Sequence, residues 1–449
     1  MPALASLIGP LKGKSLFQSL KSKKKIIFNS LWVILDKIIR MVGGLFVGIW
    51  FARYLGPYNF GAWNYAYSLV SLAIPFVNLG LNNILLTDLV KSADKGKVLF
   101  TGFIIKIFSG SLVAFLLYLY SFSLRDEQLT RSLLIILSFQ CIFQATDVFD
   151  LFYQARMESR NSVVAKTSAY LLMNVLKIIA LVYGFSLLFF ALLTLMEVVV
   201  SAIILLYFYF NVSHQRLSDW KVDFSLIRDL LRRSWPFIVS ELLITLYTRL
   251  DQVMIKNMVG NAELGKYSAA VRMSEIWYFI GSAISISVYP AILKLREKSE
   301  ADFMNGFQKL FNLLTTISVS LSLLIMVFSG WITGVLYGDK FAGIGSILSI
   351  HIWTGVFVYL GVGCSNWFIV KDLQKYMIWR TAIGAAVNAC LNIMLIPKYG
   401  SLGAAVATLI AQAFASVIAN AFSSKTREIF WLQVKSFVVI FRPSLKNYI

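Results

Sequence analysis

Polar residues recur every three or four positions through an otherwise apolar stretch near the amino terminus: Asn64, Ser68, Ser71, Pro75, Asn78 and Asn82. That spacing predicts a helix with one polar face. About 204 positions later the pattern returns as Ser268, Arg272, Glu275, Phe279, Ser282 and Ile286, again a largely polar face. The segments before the two stripes also align. LGPYNFGAWNYA from Leu55 matches VGNAELGKYSAA from Val259, with Gly56 on Gly260, Gly61 on Gly265, Trp63 on Tyr267 and Ala66 on Ala270. Two halves built alike, each with a helix polar on one side, predict a water-filled path between them.

Apolar windows of roughly twenty residues, each long enough to cross a bilayer, repeat along almost the whole chain. About twelve are recognisable. They run from Ile27 to Phe51 and Phe60 to Leu85, through Pro236 to Met258 and Lys266 to Tyr289, to Leu402 to Phe422. The expected fold is an all-α integral membrane protein with two pseudo-symmetric six-helix bundles around a central hydrophilic cavity. Its parts are a basic arm (1–25), a first bundle (26–210), an amphipathic linker containing DFSLIRDLLRRSW (211–233), a second bundle (234–424) and a basic tail (425–449). Composition agrees, since 58% hydrophobic residues, 14% charged residues and a mean hydropathy of +0.73 exclude a soluble domain.

The net charge of +20 invites a nucleic-acid reading, which fails once the charges are located. Lys12, Lys14, Lys21, Lys23, Lys24 and Lys25, then Lys91, Lys95 and Lys97, Arg156 and Arg160, Arg216, Lys221, Arg228, Arg232 and Arg233 all fall in alternate connections. Lys294, Arg296, Lys298, Lys371, Lys375 and the tail continue the series. The opposite connections hold little beyond Arg53, Arg125, Lys340 and Lys398. The positive-inside rule therefore places both termini in the cytoplasm. No cleaved leader is expected, because the first apolar run precedes the lysines. Cys141, Cys364 and Cys390 fall in spans without ligand spacing and are expected to pack in the core. Gly9 to Ser15 has only three residues between its glycines where a phosphate loop needs four, and the Asn211-Val-Ser213 sequon lies on the cytoplasmic side. The apolar tail run from Glu428 to Phe441 is too short to span and is expected to be interfacial or packed on the bundle.

Chemistry concentrates in charges within the spans. Asp36, Lys37 and Arg40 share the first span with the Gly43 and Gly44 pair; Glu241, Arg249 and Asp251 lie in the seventh, Arg272 and Glu275 in the eighth. Lys106, Asp147, Asp150, Lys177, Glu197, His351 and Arg380 are also inside. An arginine at the hydrocarbon centre costs about 2.5–3.5 kcal/mol even on the mild insertion scale, so these groups must face one another or water. The bland alternative is mutual pairing: the repeat sets Lys37 opposite Glu241, and Arg272 with Glu275 is an i, i+3 pair. His351 reads as a satisfied polar residue. Lys106, Lys177 and Glu197 are expected to snorkel or pair locally.

Several motifs carry a resemblance. ARYLGPYNFGAWNYA, FDLFYQARMESRNSVVAK, TRLDQVMI before VGNAELGKYSAAVRMSE, and NACLNIMLIPKYGSLGAAVAT together resemble the polysaccharide-transport flippases (Wzx type) of the multidrug, oligosaccharidyl-lipid and polysaccharide export superfamily. The resemblance implies a bacterial inner-membrane transporter, not an enzyme. Its substrate would be an undecaprenyl-diphosphate-linked oligosaccharide for O-antigen, lipopolysaccharide, capsule or related glycans, with membrane lipids as partners and a polysaccharide polymerase and assembly proteins as candidate partners. Arginine suits the diphosphate because its planar fork binds two oxygens at once. The expected cavity residues are Arg40, Arg249, Arg272, Lys37, Asn64, Ser68, Asn78 and Asn82. No cofactor, metal or nucleotide is expected; coupling to a proton or sodium gradient would fall to Glu241, Asp36, Asp251, Glu275, Asp147 or Asp150. Glu241 is favoured, with protonation breaking its contact with Lys37. A multidrug or cation antiporter of the same superfamily is the first alternative, and a polytopic glycosyltransferase or polymerase the second, disfavoured by short exterior loops holding little beyond Asp126, Glu127, Glu263 and Asp339.

Overall fold

The computed structural model describes residues 16–92, 94–124, 127–212 and 221–441. Gly9 to Ser15 with Lys12 and Lys14, the loop residues Arg125 and Asp126, Ser213 and Arg216, and the tail residues Arg442 and Lys446 lie outside them. Among the described residues the chain is helical, with no strand. α1 (Leu16–Asn78) is two crossings joined at Gly56 (φ 71°, ψ 171°), with Pro57 starting the return. Proline suits that place because its fixed φ fits a first helical turn that needs no amide donor. α2 (Asn82–Lys91) prolongs the second crossing, and α3 (Lys95–Ser121) is the third. The fourth is segmented into α4 (Gln128–Ser138), α5 (Gln140–Phe143) and α6 (Asp147–Ala155); α7 (Ser159–Val182) and α8 (Leu187–Tyr207) complete six.

The second six follow the same course. They are α9 (Phe224–Met258), α10 (Asn261–Glu275) with α11 (Tyr278–Arg296), α12 (Glu300–Tyr337), α13 (Ile344–His351) with α14 (Thr354–Val370), and α15 (Gln374–Ser416), which doubles back at Gly400 (φ 57°). Nine helices among the described residues are long and apolar enough to cross a membrane. Two of these fold back on themselves at Gly56 and Gly400, and the more polar α9 completes twelve crossings. α9 runs unbroken from Phe224 through Pro236, so the stretch expected to lie along the surface is its first three turns. The tail helix α16 (Arg427–Phe441) packs on α12: Gln433 is buried and donates to the Leu360 and Ser416 carbonyls, and Ser436 hydrogen-bonds Thr315 at 2.7 Å. Cys390 corrects an expectation, because it is exposed while Cys141 and Cys364 are buried.

The internal repeat is visible in the backbone. Gly56 and its counterpart Gly260 (φ 113°, ψ 176°) both adopt an extended positive-φ turn open to glycine. Here, on the side away from the lysines and arginines, the halves are pressed together. A methyl group on Gly61 would overlap the Asn261 carbonyl, and one on Gly265 would overlap the Pro57 carbonyl. Since Gly61 corresponds to Gly265 and Pro57 to Asn261, the two contacts are one contact made twice. Tyr65 and Phe60 from the first half share an apolar core with Leu264, Tyr267 and Tyr337 from the second. Lys256 adds an ion pair to Glu127 at 2.6 Å, between the end of α9 and the connection after α3. On the basic side, Arg233 of α9 pairs with Asp88 of α2 at 2.6 Å, and Lys97 pairs with Asp223 at 2.5 Å. The Lys97 ammonium and the Ser225 hydroxyl, both bonded to the Asp223 carboxylate, hold that carboxyl well below its ordinary range.

Candidate functional site

Two cavities lie back to back across α9 and α10. The first, about 360 Å3, is lined by Gly44, Gly48, Trp63, Asn64 and Tyr67 of α1, by Tyr170, Asn174 and Lys177 of α7, by Thr194 of α8, and by Arg249 and Arg272. Glycine makes this geometry. Gly43 admits the Tyr170 ring, whose hydroxyl donates to the Arg40 carbonyl at 3.1 Å, and a methyl on Gly48 would occupy the place of the Arg272 guanidinium. Arg272 therefore reaches from the second half across the cavity to lie against the first, with Phe60 5.7 Å beneath it. Among the described residues neither Arg272 nor Arg249 has an ion-pair or side-chain hydrogen-bond partner. The expected Arg272 to Glu275 pair does not close to ion-pair distance, although Glu275 acts on both arginines from farther off.

Arg40 behaves differently. It is bound by Asp36 at 2.9 Å, by Glu197 at 3.5 Å and by the Lys166 carbonyl at 2.8 Å, with the Tyr170 ring 4.8 Å away. Thr167 donates to Asp36 at 2.6 Å, and Glu197 also accepts from Lys177 at 3.4 Å. Two cations and two carboxylates thus neutralise one another, and Arg40 does not line the cavity. Asp147 and Asp150 share Lys166 at 3.2 and 2.7 Å, and Asp150 also accepts from Ser162. Asp147, Asp150 and Lys166 thus pair with one another within the first half.

The polar stripe divides by depth. Asn64 lines the first cavity while donating to the Phe60 carbonyl at 2.7 Å, whereas Ser68 is fully buried and donates to Gln252 at 2.7 Å across the halves. Deeper toward the basic side, Lys106 is 0% exposed and donates to Asn82 at 2.6 Å and to Asn78 at 3.3 Å. It does not snorkel. Asn78 uses its amide nitrogen to donate to Glu241 at 2.9 Å, so one amide joins a buried cation of the first half to a carboxylate of the second. Lys37, by contrast, is exposed, and the expected Lys37 to Glu241 contact is absent because Asn78 holds that carboxylate.

The second cavity, about 310 Å3, lies inside the second half. Its walls include Thr248, Asp251, Glu275, His351, Thr354, Arg380 and Gln412. Asp251 is buried, accepting from the Tyr267 hydroxyl and from the Gln252 amide at 2.7 Å. His351 bonds Ser274 through Nδ1 at 2.6 Å. Arg380 donates to the Gly361 carbonyl and to Ser365, leaving Nη1 unpartnered beside the equally unpartnered Tyr247 and Thr354 hydroxyls. Among the described residues no cluster of His, Cys, Asp and Glu could hold a metal. Tyr170 and Asn174 stand in the wall of the first cavity without having been singled out in the sequence, although with Lys177 their spacing of four and three marks a polar face on α7.

Known proteins share this fold. A lipid II flippase MurJ in an inward closed conformation superposes with a TM-score of 0.70 at 16% identity, over 94% of this chain and 93% of that one. An inward-facing multidrug resistance MATE family transporter of the MOP superfamily gives 0.67 at 14% identity, over 90% and 96%. In sequence, a probable flippase AglR of Haloferax volcanii is 28% identical over 180 residues, a stretch that is 38% of this chain and 37% of the relative, so the match spans well under half of either. The polysaccharide biosynthesis protein family matches residues 22–296, more than half of the chain, and the protein belongs to that family of multi-pass membrane proteins.

Proposed function

We propose that the protein is a flippase that carries a polyprenyl-diphosphate-linked oligosaccharide, of the undecaprenyl kind, across the bacterial inner membrane from the cytoplasmic to the periplasmic leaflet. The basic side is then the cytoplasmic one, and O-antigen, lipopolysaccharide or capsule repeat units are the substrates in view. One observation carries the reading: Arg249 and Arg272 face a polar cavity between the halves, and among the described residues no carboxylate stands within ion-pair distance of either, Glu275 acting on both only from farther off. An unpaired ion in hydrocarbon costs tens of kcal/mol in continuum terms, so a cavity that keeps two cations waiting fits an anionic headgroup. Each charge-assisted bond to a phosphate contributes about 1.5–3 kcal/mol. Asn64, Tyr67, Asn174 and Thr194 suit sugar hydroxyls around it.

The halves before and after residues 211–233 would rock about this site. An ion gradient would drive net transport, and the second cavity, where Asp251 and Glu275 sit together, suits a proton or sodium ion better than Glu241, which Asn78 already holds. The excess of cations in the first cavity weighs against a cation antiporter. In cells lacking the chromosomal gene, Arg249→Ala and Arg272→Ala should each let the lipid-linked intermediate accumulate on the cytoplasmic leaflet, and the lysine variants should restore export only in part. Full export by the double alanine variant at normal protein level would reject the assignment.

A further inference from the structure

A groove of about 930 Å3 runs along the outside of α3, walled almost wholly by apolar side chains. Phe108, Leu112 and Leu116 of α3 form one wall, and Phe76 of α1 with Leu79 in the turn after it the other. From Ile104 to Tyr120 it extends roughly 24 Å along the helix axis, close to the thickness of the hydrocarbon core. A local distortion shapes it. Leu79 sits in its wall with φ 48°, followed by Gly80 at 63°, and a bulky residue at positive φ is a true outlier held by its surroundings.

The basic end of the groove is closed by the other half of the protein. Ile227 and Leu231, one turn apart on α9, complete its floor, and Lys97 to Asp223 and Arg233 to Asp88 clamp that helix in place. The next residues on the helix, Arg228 and Arg232, are exposed, and no carboxylate among the described residues pairs with them. The apolar channel therefore ends beside two cations at headgroup level, and at that end it reaches the seam where the halves meet.

We infer that this groove holds the isoprenoid tail of the lipid-linked substrate, with a phosphate of the same molecule meeting Arg228 and Arg232 before the headgroup enters the cavity. The inference rests on the flippase reading and adds a tail site to it. A phospholipid also sets a chain on the wall and its one phosphate near the arginines, but a polyprenyl diphosphate brings two phosphates to the arginine pair on a single chain, and its headgroup is the one that Arg249 and Arg272 await. A tail held at the seam lets the headgroup pass between the halves while the chain stays in lipid.

The test uses the full chain in phosphatidylcholine nanodiscs with a benzophenone-bearing polyprenyl diphosphate. Photolabelling should map to the α3 segment around Leu112 and Leu116, and unlabelled polyprenyl diphosphate should compete while an equal amount of phosphatidylglycerol does not. Leu112→Trp, filling the groove, should abolish that label; Phe115→Trp, on the same helix but outside the groove, should keep it. Label spread evenly over the outer helices, or equal competition by phosphatidylglycerol, would identify ordinary annular lipid and overturn the proposal. Binding of a tail-less sugar diphosphate should survive Leu112→Trp and fail in Arg249→Ala with Arg272→Ala, so loss of the flippase reading and loss of the tail site give different results.

Discussion

A buried arginine is informative through what it lacks. Arg40 and Arg272 are the same side chain inside the same membrane, yet Arg40 has two carboxylates and a carbonyl while Arg272 has a glycine to lie against and an aromatic ring beneath it. The contact with Gly48 yields a direct prediction. Gly48→Leu should displace the guanidinium from the cavity and lower binding of a tail-less sugar diphosphate by about tenfold or more, the loss of roughly one charge-assisted bond, with elution and thermal stability kept close to wild type. Isothermal calorimetry reads it; unchanged affinity would mean that Arg272 does not touch the headgroup. The cost of charge in hydrocarbon marked both arginines from sequence alone. What separated them, Glu197 on α8 and Gly48 on α1, lies more than 150 and more than 200 positions away along the chain, and local spacing holds no record of such contacts. The same holds for Glu241, whose expected partner Lys37 followed from the repeat while its actual partner, Asn78, follows from how α1 packs on α9.

At the scale of elements, the reciprocal meeting of α1 and α10 was legible as a repeat before it was visible as packing. The alignment of Gly56 with Gly260 and Gly61 with Gly265 appears in the structure as matched turns and matched close contacts, because only glycine permits either. Gly61→Ala and Gly265→Ala should each disfavour the closed seal by about 1–3 kcal/mol, the usual cost of overpacking. The double variant should cost less than the sum, since one separation of the surfaces relieves both. Thiol accessibility of Asn257→Cys at the far side measures it, and strict additivity would show two independent contacts. The ion pair beside the seal adds a pH signature. Burial tends to raise the Glu127 carboxyl, but the bonded Lys256 ammonium, with the polar Thr130 and Asn261 side chains nearby, outweighs it and leaves it below its ordinary value. A carboxylate depressed by folding stabilises the closed form above its unfolded pKa, about 4.3, and loses that contribution as pH falls through the folded value. Far-side accessibility should therefore be flat from pH 8 to about 5 and rise only below about 4.3.

For the whole molecule, the decisive feature is that the two halves are fastened at the far side by several independent contacts that flank one cavity. Backbone meets backbone at Gly61 and Gly265, Tyr65 bonds Asn257 at 3.4 Å, and Lys256 pairs with Glu127 while lying 4.6 Å from the Tyr65 ring. If the headgroup enters from the basic side and leaves from the far side, every one of these must part in each cycle. Glu127 stands on the first half and Lys256 on the second, so a link between them tests the motion without touching the cavity. With Cys390→Ser removing the exposed native thiol, Glu127→Cys and Lys256→Cys joined by a short reducible bis-thiol reagent should abolish translocation in vesicles, and reductant should restore it. Binding of the tail-less sugar diphosphate should persist in the linked protein, because the link leaves Arg249 and Arg272 untouched. Translocation that continued at full rate with the link intact would show that the seal need not open, and the rocking of two halves about this cavity would be wrong.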